Sequence, residues 1–346
     1  MDPVLTSAKC EVIINCVPFQ TEKYIRIPYT IRMWEYRKDG LVLQGIAVID
    51  GGTKLELQRI DKASLPHIYM NPLPTNPVIT MDSLSSYYLS LQVPIPLGQS
   101  LPKNIFHRFF FRDTVRNLDV TLDGAGLTTR IGENPVVLAS PVRGPNWIYM
   151  NQSTNKYHYY VVLFLQGMLF RPEAFASDLV QLDDVMGDVV AGDPDSNRSF
   201  FCYGDTLYAV SDGIVIEMQD GKSENHGEKK DAPMPAFYDY AGNYIMLNIG
   251  GGHYACYAHC VPNSFFVKTG DLVRRGEPLA LLGNSGNSDC PHLHFQLVDA
   301  PNFFYSNGVP FVLEKYTKVG EMGIAPMTPK TYRNMMMEVN SVVSFD

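Results

Sequence analysis

Apolar residues in this chain recur at every second position and almost nowhere at the three-to-four spacing of an amphipathic helix. A period of two sends alternate side chains to opposite faces of an extended strand, so the pattern predicts an all-β fold. Residues 10–18, 24–36, 41–50 and 54–60 read as strands rich in Ile, Val, Tyr and Leu, and 87–95, 105–111, 118–122 and 136–142 continue the series. Asp39-Gly40, Asp50-Gly51-Gly52 and Asp123-Gly124 supply turns. Eight short strands in about 140 residues predict a β-sandwich of immunoglobulin-like type. Its apolar and aromatic residues read as core, and no pattern there carries chemistry.

The text changes at Pro141, Gly144 and Pro145, which divides the 346-residue chain into a sandwich over 1–142 and a second domain over 143–346. Either half is long enough to bury its own core. A second strand series follows at 158–165, 168–183, 206–218, 243–249, 253–258, 278–282 and 293–298. Between two of these strands, 220–240 carries Lys222, Glu224, Glu228, Lys229, Lys230 and Asp231 with Gly221, Gly227, Pro233 and Pro235. Too long for a hairpin turn and too broken for regular structure, it is expected to be a mobile flap.

Several partner classes drop out. A net charge of −8 and a pI near 5.5 oppose a phosphate-tracking surface, so nucleic acid is not expected. No apolar run reaches the roughly eighteen residues of a membrane span, so no transmembrane segment is expected. Residues 1–10 show no basic region followed by an apolar one, hence no signal peptide. Either the protein stays in the cell or a leader lies outside this sequence. The six cysteines form no CxxC pair, which opposes a four-cysteine zinc site and predicts buried thiols. Nothing in the pattern speaks to oligomeric state.

The chemistry gathers at histidines. In His292-Leu293-His294 the two imidazoles project from one strand face, and a pair so placed can bind a metal with one ring and move a proton with the other. Tyr257-Ala258-His259 ends a strand that begins at His253, after Gly250-Gly251-Gly252. By the same period Tyr257 and His259 share a face. His253 has that parity too but sits beside the turn and reads as solvated. A tyrosine and three histidines at strand ends suit a hydrolytic zinc site, with one metal and two proton-handling imidazoles.

Five segments occur in order: Tyr240-Ala241-Gly242-Asn243-Tyr244, Tyr257-Ala258-His259, Val267-Lys268-Thr269-Gly270-Asp271-Leu272-Val273, Gly283-Asn284-Ser285-Gly286-Asn287-Ser288 and Pro291-His292-Leu293-His294-Phe295. The series resembles the lysostaphin/LytM-type zinc endopeptidases over roughly 178–316. That resemblance implies a duplicated-hybrid-motif β-sheet domain with a groove and a single zinc. It also implies cleavage of short peptides, with a peptide or peptidoglycan stem as substrate. It makes His294 a zinc ligand, and it puts His292 and His259 to work on the attacking water and the tetrahedral intermediate.

The family also has an upstream HxxxD element that supplies two further zinc ligands. Its counterpart here is Ala174-Phe175-Ala176-Ser177-Asp178, which keeps the aspartate and has alanine for the histidine. An acidic insertion follows, with Asp183, Asp184, Asp188, Asp193 and Asp195 before the next glycine turn at Gly204. Asp178 and His294 alone make too few ligands for catalytic zinc, which normally has three. Two residues compete for the third place. Glu173 points to the other face of a regular strand. His158 would share a face with Asp178 if 158–165 and 168–178 pair about Gln166-Gly167 with an even-numbered partner opposite. A zinc metalloendopeptidase is thus expected, and the alternative is a catalytically degenerate member that binds a peptide or partner. Val267 to Gly276 also resembles a biotinyl or lipoyl carrier element, but the lysine hairpin such a carrier needs is missing.

Overall fold

Alternation of side chains becomes sheet architecture throughout the described residues of a computed structural model, which are all except 1–8, 35–40, 66–70, 73–85, 151–157, 160, 166–167, 186 and 325. The end of the 24–36 strand beyond Trp34, the Asp39-Gly40 turn and the Gln166-Gly167 turn lie outside them. The fold is all-β. Among the described residues no helix is long and apolar enough to cross a membrane. The six cysteines are free thiols, and Cys16, Cys202, Cys256 and Cys260 are buried.

Two compact units divide the chain: Met1–Pro135 with Tyr160–Leu169, and Val136–Tyr159 with Phe170–Asp346. The cut falls a little before the Pro/Gly segment, because Val136–Leu138 pairs in parallel with Phe311–Leu313 inside the second unit. In the first unit, Tyr24–Trp34 lies between Lys9–Asn15 and Ser86–Pro96 in one antiparallel sheet. Glu56–Asp61, Leu41–Asp50, Asn104–Asp113 and Leu118–Thr128 form another, in that order. Ile27, Tyr29, Ile31, Leu89 and Leu91 from the first sheet share a core with Ile46, Val48, Phe109 and Phe111 from the second. That arrangement is a β-sandwich. Among its described residues, the buried imidazole of His107 is taken up by Tyr29 Oη at 2.7 Å and the Ala125 carbonyl at 2.7 Å.

The second unit is built on a ten-stranded sheet. Its middle runs Gly213–Gln219, Tyr244–Gly250, His253–Ala258, Leu293–Val298, Ser177–Gln181 and Gly144–Met150, every neighbour antiparallel. Leu293, Phe295 and Leu297 join Ala255, Tyr257 and Leu179 in one apolar core. By parity, His294 and Gln296 emerge on the opposite face. A strand apolar on one side and polar on the other, yet buried on both, is how this sheet carries a site.

Two expectations about local structure are corrected. The 168–183 strand is broken: Met168–Phe170 ends at Arg171, and turns through Pro172 and Glu173 intervene before Ser177–Gln181 begins. Pro172 has no N–H for a ladder, and Ala174 N–H donates to Arg171 O at 3.2 Å instead. The 220–240 segment is no free flap. Asn225 Nδ2 lies 3.0–3.2 Å from the carbonyls of Asn284, Gly286 and Ser288, and Asn225 N–H donates to Asn284 O at 2.9 Å. Asn197, from the acidic insertion, clamps the other side, donating to Asn225 O at 2.8 Å and accepting from Gly227 N–H at 2.7 Å. Buried amides give this loop the pairing that its composition lacks.

Candidate metal centre

Asp178 and His294 are direct partners in the antiparallel register of Ser177–Gln181 with Leu293–Val298. Side chains opposite one another share a face, so carboxylate and imidazole meet: Nδ1 of His294 stands 3.0 Å from Asp178 Oδ1. On the other flank His294 is paired with Ala258, whose small side chain leaves room beside the ring.

His158 arrives by a different route from the one its register suggested. The strand of the first unit starts at Val161, so His158 belongs to a turn and has no ladder partner opposite 174–176. Its Nε2 nevertheless sits 3.4 Å from Asp178 Oδ2, and its ring meets that of His294 edge-on at 5.0 Å. Donor atoms of His158, Asp178 and His294 all lie within 4.8 Å of one another. Glu173 is half-buried in the turn before the Asp178 strand, where strand parity does not govern it.

His259 and His292 complete the cluster, with ring centroids 4.7 Å apart. His292 Nε2 faces Asp178 Oδ1 at 3.5 Å. His259 reaches the site because its backbone is left-handed, with φ at 67°. For a residue with a Cβ this costs about 1–2 kcal/mol, and it reverses the side chain's face. Tyr257 therefore does not join it. That ring is fully buried in the core, with its hydroxyl accepting the Val210 N–H at 2.9 Å. The Gly283–Ser288 turn is pressed against Gly242, where a Cβ would lie 2.5 Å from Ser285, and Asn243 N–H donates to Ser285 Oγ at 2.9 Å.

Hydrogen bonds assign the ring nitrogens. Nδ1–H of His259 donates to Ser285 O at 2.7 Å, and Nδ1–H of His292 donates to Cys290 O at 2.8 Å. Both rings keep Nε2 as the basic nitrogen. His294 is wired in reverse. Gln296 lies fully buried two residues on, its Nε2 donating to Phe303 O at 3.2 Å, which turns its Oε1 to His294 Nε2 at 2.9 Å. Nε2 of His294 must then carry hydrogen, and Nδ1 is the atom presented to Asp178 and His158. Gln296 was missed in the sequence, although it continues the alternation from His294.

Charge follows the same geometry. Burial alone would raise the Asp178 carboxyl, but His158, His292 and His294 outweigh it and hold the group well below the usual carboxylate range. Burial works to lower His294, yet Asp178, with Glu173 adding, holds it up at about 9. Burial pushes His259 well down, reinforced by His292 and His294, and burial also lowers His292. Two neutral imidazoles thus stand beside a charged carboxylate–imidazole pair at neutral pH.

Residues 199–304 match peptidase family M23, a span that contains His259, His292 and His294 and begins after Asp178 and His158. The chain is 32% identical over 95 residues to the peptidoglycan DD-endopeptidase ShyA of Vibrio cholerae serotype O1, covering 28% of this chain and 18% of that protein. It is 38% identical over 95 residues to ShyB of the same organism, with the same coverage of 28% and 18%. The chain thus spans less than a fifth of the length of these relatives. Among solved structures, the catalytic domain of lysostaphin from Staphylococcus simulans is 23% identical with a TM-score of 0.23, over 36% of this chain and 84% of that one. Residues 199–304 are a peptidase family M23 domain, of the lysostaphin/LytM kind that the motif series resembles.

Proposed function

We propose that this chain is a zinc-dependent endopeptidase that cuts short peptide bonds, with peptidoglycan cross-links as its substrate class. One observation carries the reading: Asp178, His294 and His158 converge within 4.8 Å while His259 and His292 stand beside them with Nε2 kept basic. One carboxylate and two imidazoles are a ligand set of the kind catalytic zinc takes, three protein donors with a position left open. His158 turns its Nε2 into the cluster, 3.4 Å from Asp178 Oδ2, so that nitrogen is the one a metal there would take. When bound, zinc supplies Lewis acidity that polarises a peptide carbonyl and acidifies water.

The rest belongs to the chain's own residues. His259 and His292, neutral near pH 7, accept a proton at Nε2 from the attacking water and return it to the leaving amine. Their Nδ1–H bonds to fixed backbone carbonyls hold each ring in the orientation that this requires. Peptidoglycan is proposed because both Vibrio relatives are peptidoglycan DD-endopeptidases. The sandwich before this domain, one four-strand sheet facing another, is proposed to be immunoglobulin-like.

Ala174, where the resemblance expects histidine, favours a second reading in which the protein binds a peptide without cutting it. Metal analysis of purified protein, paired with mass-spectrometric detection of cleaved stem-peptide dimers, separates the two. One zinc per chain with cleavage is expected. Folded, zinc-free protein that cuts nothing would give the second reading the field.

A further inference from the structure

We infer that Arg171 is the positioning residue that delivers His158 to the cluster, an inference that rests on His158 being a metal ligand. A ligand on a strand is aimed by the ladder on either side of it. His158 has no such support, since it lies in a turn, yet its side chain is only 12% exposed and points at Asp178. Something else must fix that turn.

Arg171 is 1% exposed, and its Nη2 donates to the carbonyl of Tyr159, the residue after His158, at 2.6 Å. The guanidinium also lies over the Tyr159 ring, 4.7 Å from its centroid. That ring is 1% exposed and meets Phe175 edge-on at 5.8 Å. The peptide and the side chain next to His158 are therefore both gripped by one guanidinium. A planar fork that donates and stacks at once is a property of arginine that lysine lacks.

The anchor is itself fixed. Arg171 N–H donates to Asn307 Oδ1 at 3.2 Å, and Arg171 O accepts from Gly308 N–H at 2.7 Å. Gly308 packs so tightly there that a Cβ would lie 3.0 Å from Pro172 O and 3.1 Å from Ala174 N. The turn that holds Ala174 in place of a histidine thus supplies the clamp for the substitute. A missing ligand and its replacement are linked through one buried arginine.

The test is a double-mutant cycle read as zinc affinity, by competition with a chromophoric chelator, with thermal unfolding of the metal-free proteins as the check on folding. Arg171→Lys should weaken zinc binding on the order of 10- to 100-fold, the usual range for a residue that orients a ligand. In a His158→Ala background the same substitution should cause no further loss, because the ring it aims is gone. Tyr159→Leu, which removes the stacked ring while keeping bulk, should behave alike and serves if Arg171→Lys does not fold. Equal losses in both backgrounds would overturn the inference and leave Arg171 a structural residue, and a folded Arg171→Lys protein with unchanged affinity would overturn it as well. Full affinity in His158→Ala alone would instead sink the ligand assignment beneath it.

Discussion

Asp178 and His294 face each other across one antiparallel register pair, and the 3.0 Å contact between Oδ1 and Nδ1 sets the charge of the metal-free site. The carboxyl is depressed and the imidazole raised to about 9, so each contributes stability over a defined range of pH. The Asp178 share is present above its unfolded value of about 3.9 and is lost as pH falls below it toward the depressed folded value. The His294 share is complete below its unfolded value of about 6.5 and is lost as pH rises through about 9. Chelator-treated protein should therefore lose melting temperature between about pH 6.5 and 9 relative to a His294→Gln variant. Parallel curves for the two proteins over that range would contradict the pairing.

Gln296 decides which His294 nitrogen is offered. Gln296→Leu removes the acceptor at His294 Nε2 and the donor at Phe303 O, two bonds of 2.9 and 3.2 Å. Stranding those buried groups should cost about 1–3 kcal/mol for each. Freed to exchange tautomers, His294 should bind zinc about 10- to 100-fold more weakly. Gln296→Glu keeps an acceptor at the same reach and should retain most of the affinity, measured by the same chelator competition. If the leucine and glutamate variants bind equally well, the orienting role is gone.

How much of this was legible depends on whether period or long-range contact decides a residue's place. His294 and Asp178 sit on strands, the first marked by the motif series and the second by the counterpart of the HxxxD element. His259 and Tyr257 were expected together because period two puts them on one face, and a single left-handed residue at His259 separated them. The hairpin register that singles out His158 forms only between Val161–Leu165 and Met168–Phe170 and stops short of His158, since Pro172 ends the ladder. His158 reaches Asp178 through a turn held by Arg171, a contact across the chain that no local pattern announces. The 220–240 loop misled for the same reason: its composition says mobile, and its partners Asn197, Asn284 and Gly286 lie far away in sequence.

That loop offers a direct measurement. Amides of Lys222, Asn225 and Ala232 donate to Asn243 Oδ1, Asn284 O and Asn225 Oδ1 at 2.8, 2.9 and 2.8 Å. Hydrogen exchange at these positions should approach that of the Tyr244–Gly250 strand. Asn225→Ala removes the acceptor of the Ala232 amide and the donor to the Asn284, Gly286 and Ser288 carbonyls, so exchange at Ala232 should rise and the protein should lose about 1–3 kcal/mol, the cost of stranding buried partners. Fast exchange in the wild type would restore the flap.

The last expectation concerns the two imidazoles outside the proposed ligand set. His259 and His292 each spend Nδ1–H on a backbone carbonyl and are held neutral by burial, which suits proton transfer at Nε2 near pH 7. Neither is needed to hold metal if Asp178, His294 and His158 do so. His259→Ala and His292→Ala should therefore keep full zinc content while turnover on a stem-peptide dimer falls about 10²- to 10⁴-fold, the range for losing a general acid or base. His259 carries an added consequence, because its left-handed backbone is strained with any Cβ present. His259→Gly relieves that strain, so it should be more stable than His259→Ala by up to about 1–2 kcal/mol and just as inactive. Loss of zinc in His292→Ala would move that residue into the ligand set, and normal turnover in both alanine variants would remove proton transfer by these rings from the mechanism.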